Sequence, residues 1–201
     1  MKKQFQPSFN NKVDFREDIN KCIKVLRDGG IILYPTDTIW GIGCDATNEV
    51  AVAKIFALKK RNEEKSMIVL VANEWMLEQY VKEVPKAALD FIEYIEKPLT
   101  IIYPDAVNLP KNLINVDGTI GIRIIKDDFC VQLIRQFKKP IVSTSANISG
   151  QPAPSSFHKI EDAIQSGVDY VATHRQDEAT NSTPSTIIKV EVNGVFKFIR
   201  I

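Results

Sequence analysis

The sequence predicts an α/β fold: an open, twisted sheet with parallel and antiparallel strand pairs, and helices packed against it. Helical and strand patterns alternate along most of the chain, as they do in α/β proteins. The nearly continuous apolar run at residues 66–72 indicates a strand that is covered on both faces. The dipeptide Asn193-Gly194, between two apolar segments, indicates a hairpin of antiparallel strands. A sheet that contains both features must be mixed.

The first half of the chain supplies helix and strand signals in turn. Asp14 is a candidate helix cap with Glu17 three residues later, and an apolar stripe with helical spacing follows it. Pro85 interrupts a helical pattern and divides it into two helices. The predicted elements, in order, are a helix at 14–28, a strand at 31–34, a helix at 48–60, a strand at 66–72 and two helices within 74–96.

The second half continues the alternation and ends in the hairpin. Its predicted strands are apolar, β-branched or aromatic, and its loops are rich in proline and polar residues. The predicted elements are a strand at 99–103, a loop at 104–118, a strand at 119–125, a helix at 128–137, a strand at 140–143, a short helix at 159–165, a strand at 170–172, a polar loop at 174–184, and hairpin strands at 185–192 and 195–201.

Composition indicates one globular domain. The chain has 201 residues, of which 44% are hydrophobic and 25% are charged, which suits a domain with a sizeable core. We expect residues 1–13 to be a tail and residues 14–201 to form the domain. No apolar run approaches the roughly 20 residues that a membrane-spanning helix needs, and the N-terminus lacks the apolar segment of a secretory signal.

The cysteine content indicates the cellular compartment of the protein, and the net charge indicates which partners it attracts. The three cysteines are far apart, without metal-ligand spacing or a disulfide framework, which favours a reducing cytoplasm. The net charge is only +1, so no general basic field attracts nucleic acid. Cations crowd in one segment, although cations at a helix end also complement its dipole. These cations are Lys54, Lys59, Lys60, Arg61 and Lys65.

Two predicted strands end in loops that are rich in hydroxyl groups. Residues 35–38 follow one strand and contain two threonines and an aspartate, and residues 143–149 combine serines, a threonine and an asparagine. Gly41 and Gly43 allow a ligand or another backbone to come close. The first loop therefore predicts part of a site, with a polar turn between two strands as the alternative.

Several common catalytic patterns are missing from the sequence. It contains no Walker or dinucleotide glycine motif and no Gly-x-Ser-x-Gly motif. The histidines, His158 and His174, lie at predicted surface positions, so a hydrolase that uses Ser145 with one of them is a weak alternative. Low histidine and cysteine content also disfavours a transition metal held by the protein.

The remaining candidates are cations and hydroxyl-bearing or amide side chains, a combination that suits a polyphosphate. Arginine and lysine donate charge-assisted hydrogen bonds, while hydroxyl and amide groups fix orientation without adding charge. Taken alone, a residue of any of these types is more often a surface or capping residue than a ligand contact. The candidates are Lys59, Arg61, Lys65, Arg123 and Arg200, with Thr36, Thr38, Ser143, Ser145, Asn147 and Ser185.

Several separated motifs, in order and at compatible spacings, resemble the YrdC-like family of threonylcarbamoyl-AMP synthases. The resemblance covers roughly residues 14–201. The motifs are Pro35-Thr-Asp-Thr-Ile-Trp-Gly-Ile-Gly-Cys-Asp-Ala46, Lys59-Lys-Arg61, Pro98-Leu-Thr100, Gly121-Ile-Arg123, Ser143-Thr-Ser-Ala-Asn-Ile-Ser-Gly150 and Pro184-Ser-Thr-Ile-Ile188.

The resemblance implies a nucleotidyltransferase that converts L-threonine, bicarbonate or CO2, and ATP into threonylcarbamoyl-AMP and pyrophosphate. Mg2+ would be bound to the ATP phosphates. The product would serve the formation of threonylcarbamoyladenosine (t6A) in tRNA, with downstream tRNA threonylcarbamoyl-transfer proteins as partners. The family fold, an open α/β sheet with a concave basic cavity, agrees with the sheet that the patterns predict.

The resemblance also implies roles for individual residues. Lys59 and Arg61 match a Lys-x-Arg phosphate pair and would be the catalytic cations. The implied nucleotide contacts are Lys59, Arg61, Lys65, Thr119, Asn147, Ser155 and Arg200. The implied threonine contacts are Thr38, Arg123, Ser145 and Ser185. Arg123 would hold the threonine carboxylate, and Ser143 would line the same strand end as Ser145. Asp37 receives no role, because an acid beside a polyphosphate needs Mg2+ or a basic neighbour.

The sequence departs from the family pattern near both substrates. Asn62 and Ser66-Met67 stand where many members have prolines or a Pro-Leu pair, and Leu70 stands where some relatives have a histidine near the threonine. These departures affect the expected details of the amino-acid pocket. The cations of the implied phosphate site are all present.

Two other functions remain open from the sequence. The concave face of this family has also been interpreted as a surface for tRNA or double-stranded RNA, which the near-neutral charge disfavours and a local basic cleft favours. YrdC-like domains also occur in larger carbamoyl-transfer maturation factors, whose additional zinc-finger and acylphosphatase-like segments have no counterpart in this sequence.

Overall fold

Nine strands form one sheet in the computed structural model, which describes residues 14–60, 67–178 and 184–201. The predicted tail at residues 1–13 lies outside the described residues. The strands are β1 (Ile32–Tyr34), β2 (Gly41–Gly43), β3 (Ile68–Val71), β4 (Leu99–Tyr103), β5 (Ile120–Ile124), β6 (Ile141–Ser145), β7 (Tyr170–Val171), β8 (Thr186–Val190) and β9 (Phe196–Arg200). Their order across the sheet is β7-β1-β2-β6-β3-β5-β4-β8-β9.

The sheet is mixed, as the sequence predicts. Strand β1 is parallel to β7, β3 to β5, and β4 to β8. The pairs β1–β2, β2–β6, β3–β6, β4–β5 and β8–β9 are antiparallel. Strands β8 and β9 are the predicted C-terminal hairpin, with Asn193-Gly194 between them.

Some of the helices begin at a side chain that caps the first turn. Asn48 accepts a hydrogen bond from the N–H of Ala51, and Asp127 accepts one from the N–H of Cys130, so each satisfies an otherwise unpaired donor of a first turn. Pro85 stands at the N-cap of the helix at Lys86–Tyr94, which confirms the predicted division at this residue. The helices are α1 (Arg16–Arg27), α2 (Glu49–Leu58), α3 (Glu74–Leu77), α4 (Lys86–Tyr94), α5 (Asp128–Phe137) and α6 (Asp162–Gln165), with a 3-10 turn at Phe157–Lys159.

Some element ends differ from the predictions. Phe15, not Asp14, occupies the N-cap of α1, and Asp14 instead accepts a hydrogen bond from the N–H of Arg16. Strand β6 continues to Ser145 because this residue pairs with Gly41 of β2. The short helix predicted at residues 159–165 is divided into the 3-10 turn and α6.

Strand β2 forms within a segment that the sequence predicts to be a loop. A Cβ atom on Gly43 would lie 2.6 Å from the carbonyl oxygen of Val142 and 2.7 Å from the ring of Tyr34. Glycine therefore lets strand β6 and the Tyr34 ring approach the β2 backbone. Of the two possibilities that the sequence leaves open at Gly43, a ligand or another backbone, the structure has the backbone, since the space is filled by protein.

Helices α1 and α5 pack together on one side of the sheet. The predicted apolar stripe of α1 is buried at Ile19, Cys22, Ile23 and Leu26. Asp18 on the same helix is also buried, and it accepts hydrogen bonds from the N–H groups of Thr173 (3.0 Å) and His174 (2.7 Å). These bonds attach the segment that follows β7 to α1.

His174 packs between aromatic rings at this junction, with ring centroids 5.3 Å from Phe129 and 4.9 Å from Phe15. Burial lowers the pKa of His174 below its ordinary value of 6.5. The unfolded chain therefore binds a proton more readily than the folded chain does. The stabilising contribution of the neutral ring is complete above about pH 6.5 and is lost as the pH falls through the folded-state pKa.

We expect the free energy of unfolding to decrease between about pH 7.5 and about pH 5.5, and to decrease less in His174→Phe, which cannot titrate. Denaturant unfolding at both pH values measures the difference. His158→Gln, at an exposed histidine, is the matched control. An equal decrease in wild type and His174→Phe would contradict the role of this ring.

Candidate active site

The pairing register places the predicted site residues of the central strands on one face of the sheet. Ile68 of β3 is opposite both Ser143 and Gly121, and Leu70 is opposite Arg123. Because side chains alternate along a strand, Ser143, Arg123 and their partners share this face. Toward one edge of the sheet, Ser145 of β6 pairs with Gly41 of β2. Toward the other edge, Ile187 of β8 pairs with Arg200 of β9.

A cleft of about 340 Å³ opens on this face. It brings together predicted residues that are far apart in the sequence. Those that line it are Thr38, Arg123, Ser145, Ser185 and Arg200, with Ser143 and Thr36. Apolar side chains, among them Met67, Ile68 and Ile187, form the rest of its wall. The cleft thus combines two guanidinium groups and several hydroxyl groups with apolar surface.

Arg123 is the central cation of the cleft, and its side chain is only 3% exposed. One terminal nitrogen, Nη1, donates to the hydroxyl of Thr38 at 3.3 Å, and the other, Nη2, forms an ion pair with Asp37. Asp37, which the sequence leaves without a role, therefore has the basic neighbour that it needs. A buried guanidinium beside hydroxyl groups is suited to bind a carboxylate.

The loop between β1 and β2 is shaped by its own threonines. The Thr36 hydroxyl accepts hydrogen bonds from the N–H groups of Thr38 (3.1 Å) and Ile39 (3.2 Å), and donates to the carbonyl oxygen of Ile39 (2.7 Å). The Thr36 and Thr38 hydroxyl oxygens are 3.0 Å apart. Thr36 therefore fixes the turn, and Thr38 presents its hydroxyl to Arg123.

Lys59 is fully buried directly after α2. Its ammonium donates to the carbonyl oxygens of Ser145 and Asn147, and its own carbonyl accepts from the N–H of Ser149 at 2.8 Å. It is not among the described residues that line the cleft. Lys59 thus stabilises the loop of residues 145–149 through these hydrogen bonds. Arg61 and Lys65, the other predicted cations of this segment, lie outside the described residues.

Asn147 lies at the turn of that loop with its side chain 9% exposed. Its amide nitrogen donates to the carbonyl oxygens of Ile148 (2.9 Å) and Gln151 (2.8 Å). Its amide oxygen is buried and has no partner among the described residues. A buried acceptor without a donor is rare, so this oxygen is suited to receive a hydrogen bond from a ligand.

Ser185, just before β8, Ile187 of β8 and Arg200 of β9 supply another part of the cleft wall. The hydroxyl groups of Thr100 and Ser185 are 2.8 Å apart, and Arg200 donates from Nε and Nη2 to the Ser185 carbonyl at 3.0 and 2.8 Å. Burial lowers the pKa of Arg200 from its ordinary value. Thr100 belongs to the Pro98-Leu-Thr100 motif but receives no role from the sequence, and in the structure its hydroxyl contacts that of Ser185.

Four of the described nucleotide-side candidates, Lys59, Thr119, Asn147 and Ser155, are not among the residues that line the cleft. Thr119, just before β5, donates its hydroxyl to Asp117 at 2.6 Å and accepts from the amide of Asn115 at 2.9 Å. Ser155 is exposed. The described cleft therefore brings the threonine-side candidates together more closely than the nucleotide-side candidates.

The histidines offer no support for a serine hydrolase. His158 is exposed and lies 3.6 Å from Asp177, and His174 stacks on Phe129. Neither lines the cleft with Ser145.

Residues 14–60, 67–178 and 184–201 contain no group of three histidine, cysteine or acidic side chains that could hold a metal ion. Over the same ranges, no helix has the length and apolar character needed to cross a membrane.

Comparison with known proteins identifies the family of this chain. Residues 24–201 match the Sua5/YciO/YrdC family, whose description is "Telomere recombination". The chain belongs to this family, as the motifs in the sequence predict.

Curated relatives of this chain carry the name of one enzyme, threonylcarbamoyl-AMP synthase. A threonylcarbamoyl-AMP synthase of Pseudoalteromonas translucida is 34% identical over 180 residues, which are 88% of this chain and 94% of that protein. A threonylcarbamoyl-AMP synthase of Coxiella burnetii is 36% identical over 141 residues, which are 69% of this chain and 75% of that protein.

Solved structures agree in fold. P. abyssi Sua5 complexed with L-threonine has a TM-score of 0.81 and 26% identity, and the match covers 90% of this chain and 52% of that chain. E. coli YciO has a TM-score of 0.80 and 22% identity over 93% of this chain and 89% of that chain. The predicted YrdC-like fold is confirmed.

Proposed function

We propose that this protein is a threonylcarbamoyl-AMP synthase, a nucleotidyltransferase that joins L-threonine, bicarbonate or CO2, and ATP. Relatives of that name match most of the chain. The observation that carries the proposal is the buried guanidinium of Arg123, which lines a cleft of hydroxyl groups. Such a group is suited to the carboxylate of an amino acid.

The threonine side of the reaction follows from this geometry. Arg123 binds the α-carboxylate of threonine, while the hydroxyl groups of Thr38, Ser145 and Ser185 contact the rest of the amino acid. The threonine amine attacks CO2 and loses a proton, which gives a carbamate. Fixing the carbamate in the cleft converts its reaction with ATP into a step between two positioned groups.

The nucleotide side depends on charge neutralisation. A carbamate oxygen attacks the α-phosphorus of ATP, the bond to the bridging oxygen breaks, and pyrophosphate leaves. Mg2+ would be held by the phosphate oxygens of ATP and would offset their charge. Lys59, Arg61, Lys65 and Arg200 are proposed to stabilise the phosphates, and Thr119, Asn147 and Ser155 to contact the nucleoside. No side chain needs to become a covalent nucleophile.

The product is a mixed anhydride, which is an activated donor of the threonylcarbamoyl group. We assign it to the formation of t6A in tRNA, where separate transfer proteins would use it. The short lifetime expected of such an anhydride in water favours direct use by those proteins.

Pyrophosphate release tests the proposal. Purified protein with Mg-ATP should release pyrophosphate only when both L-threonine and bicarbonate are present, and D-threonine is the matched substrate control. Release that persists without threonine, or in buffer depleted of CO2 and bicarbonate, would contradict the proposed reaction.

A further inference from the structure

Arg123 lies between two cavities. One is the cleft, and the other is a smaller cavity of about 150 Å³. Ile101 and Ile122, which pair across β4 and β5, line the smaller cavity. Ile92 of helix α4 and Ile95, the C-cap of that helix, line it as well. Since side chains alternate along β5, Ile122 points to the side of the sheet opposite Arg123. Arg123 therefore borders the cleft on one face of the sheet and the smaller cavity on the other.

Consecutive residues hold this guanidinium from different sides. Of these two cavities, Asp37 borders the smaller one and Thr38 borders the cleft, while Arg123 borders both. Asp37 pairs with Nη2, and Thr38 accepts from Nη1. These two contacts use two of the five N–H donors of an arginine.

The charge balance explains why an acid is needed at this position. Arg123 is 3% exposed, whereas Asp37 is 24% exposed. A buried cation without a counter-charge is costly, so a carboxylate beside it stabilises the empty site. Because Asp37 supplies that carboxylate from outside the cleft lining, it neutralises Arg123 without filling the space for an amino acid.

We propose that Asp37 is a positioning residue for amino-acid binding. Together with Thr38, it holds the Arg123 guanidinium in the orientation that receives the substrate carboxylate, and it does not itself touch the substrate. This inference rests on the proposed function, and it assigns a role to the one acid of the Pro35-Thr-Asp-Thr38 loop.

The test compares L-threonine with (R)-3-hydroxybutyrate, which keeps the carboxylate and the hydroxyl but lacks the amino group. In Asp37→Asn we expect the KM for threonine and the inhibition constant of the analogue to rise together, by about tenfold each, the size of effect that a lost charge-assisted contact produces. The KM for ATP should stay within about twofold, which also shows that the variant is folded. Asp37→Glu, which restores the carboxylate, should recover part of the loss.

Asp14→Asn is the matched control, because Asp14 forms an ion pair with Arg16 at an exposed position. It should leave all three constants unchanged. Loss of threonine binding with analogue binding retained, or no analogue binding even to wild type, would mean that recognition of the ammonium dominates and would overturn the inference. Unchanged constants, or an equal rise in the KM for ATP, would also overturn it. Wild-type protein without threonine-dependent pyrophosphate release would instead contradict the proposed function.

Discussion

Arg123→Leu should raise the KM for L-threonine by at least about 100-fold, because the variant loses a charged, forked donor in a buried site. ATP binding, measured by calorimetry with a non-hydrolysable analogue, should change by less than about twofold. The large effect is expected because Arg123 is almost fully buried and lies against Thr38, Asp37 and the cleft.

Arg123→Lys is the matched variant for this prediction. Lysine keeps the positive charge that pairs with Asp37 but lacks the planar, forked N–H donors of the guanidinium. The KM of this variant for threonine should therefore lie between the values of wild type and Arg123→Leu. A threonine requirement that is unchanged in Arg123→Leu would exclude the carboxylate role. Equal weakening of ATP and threonine would indicate a general loss of structure instead.

Lys59→Met should reduce pyrophosphate release by at least about 100-fold and lower the free energy of unfolding by about 1–3 kcal/mol. The second effect follows from the structure, because the carbonyl groups of Ser145 and Asn147 would lose a buried donor. Methionine has a similar length, so the substitution removes the charge while it largely keeps the volume.

Lys60→Met is the control for Lys59→Met, since Lys60 is the exposed neighbour. It should leave turnover and stability close to wild type. Denaturant unfolding separates the two effects of Lys59→Met: a stable variant without turnover would assign the lysine to the phosphates alone. Turnover like that of wild type would contradict any catalytic role for it.

The sequence predicts the elements that have a strong local pattern. The strand at 99–103 and the helix at 128–137 agree with β4 and α5 at both ends. Strand β2 is not among the predicted elements and enters only through the alternative of a polar turn between two strands. Its glycines and the preceding polar residues give no strand signal, and it pairs with β1 and β6. Tertiary pairing overrides local propensity in such segments.

The functional site is also predicted only in part, because the sequence identifies residue types but not the directions of their side chains. The motifs identify the residue types, and the sheet brings Thr38, Arg123, Ser145, Ser185 and Arg200 together as expected. The direction of a side chain is not encoded in a motif. The sequence could not show that the ammonium of Lys59 meets two carbonyl groups, or that Asp37 pairs with a residue 86 positions away.

The identity of the nucleotide product tests the central claim most directly. Protein incubated with Mg-ATP, L-threonine and ¹³C-labelled bicarbonate should form a species with the mass of AMP joined to threonine through one labelled carbonyl, as measured by rapid chromatography and mass spectrometry. A nucleotide product that contains no threonine, or one that contains threonine without the label, would contradict the assignment.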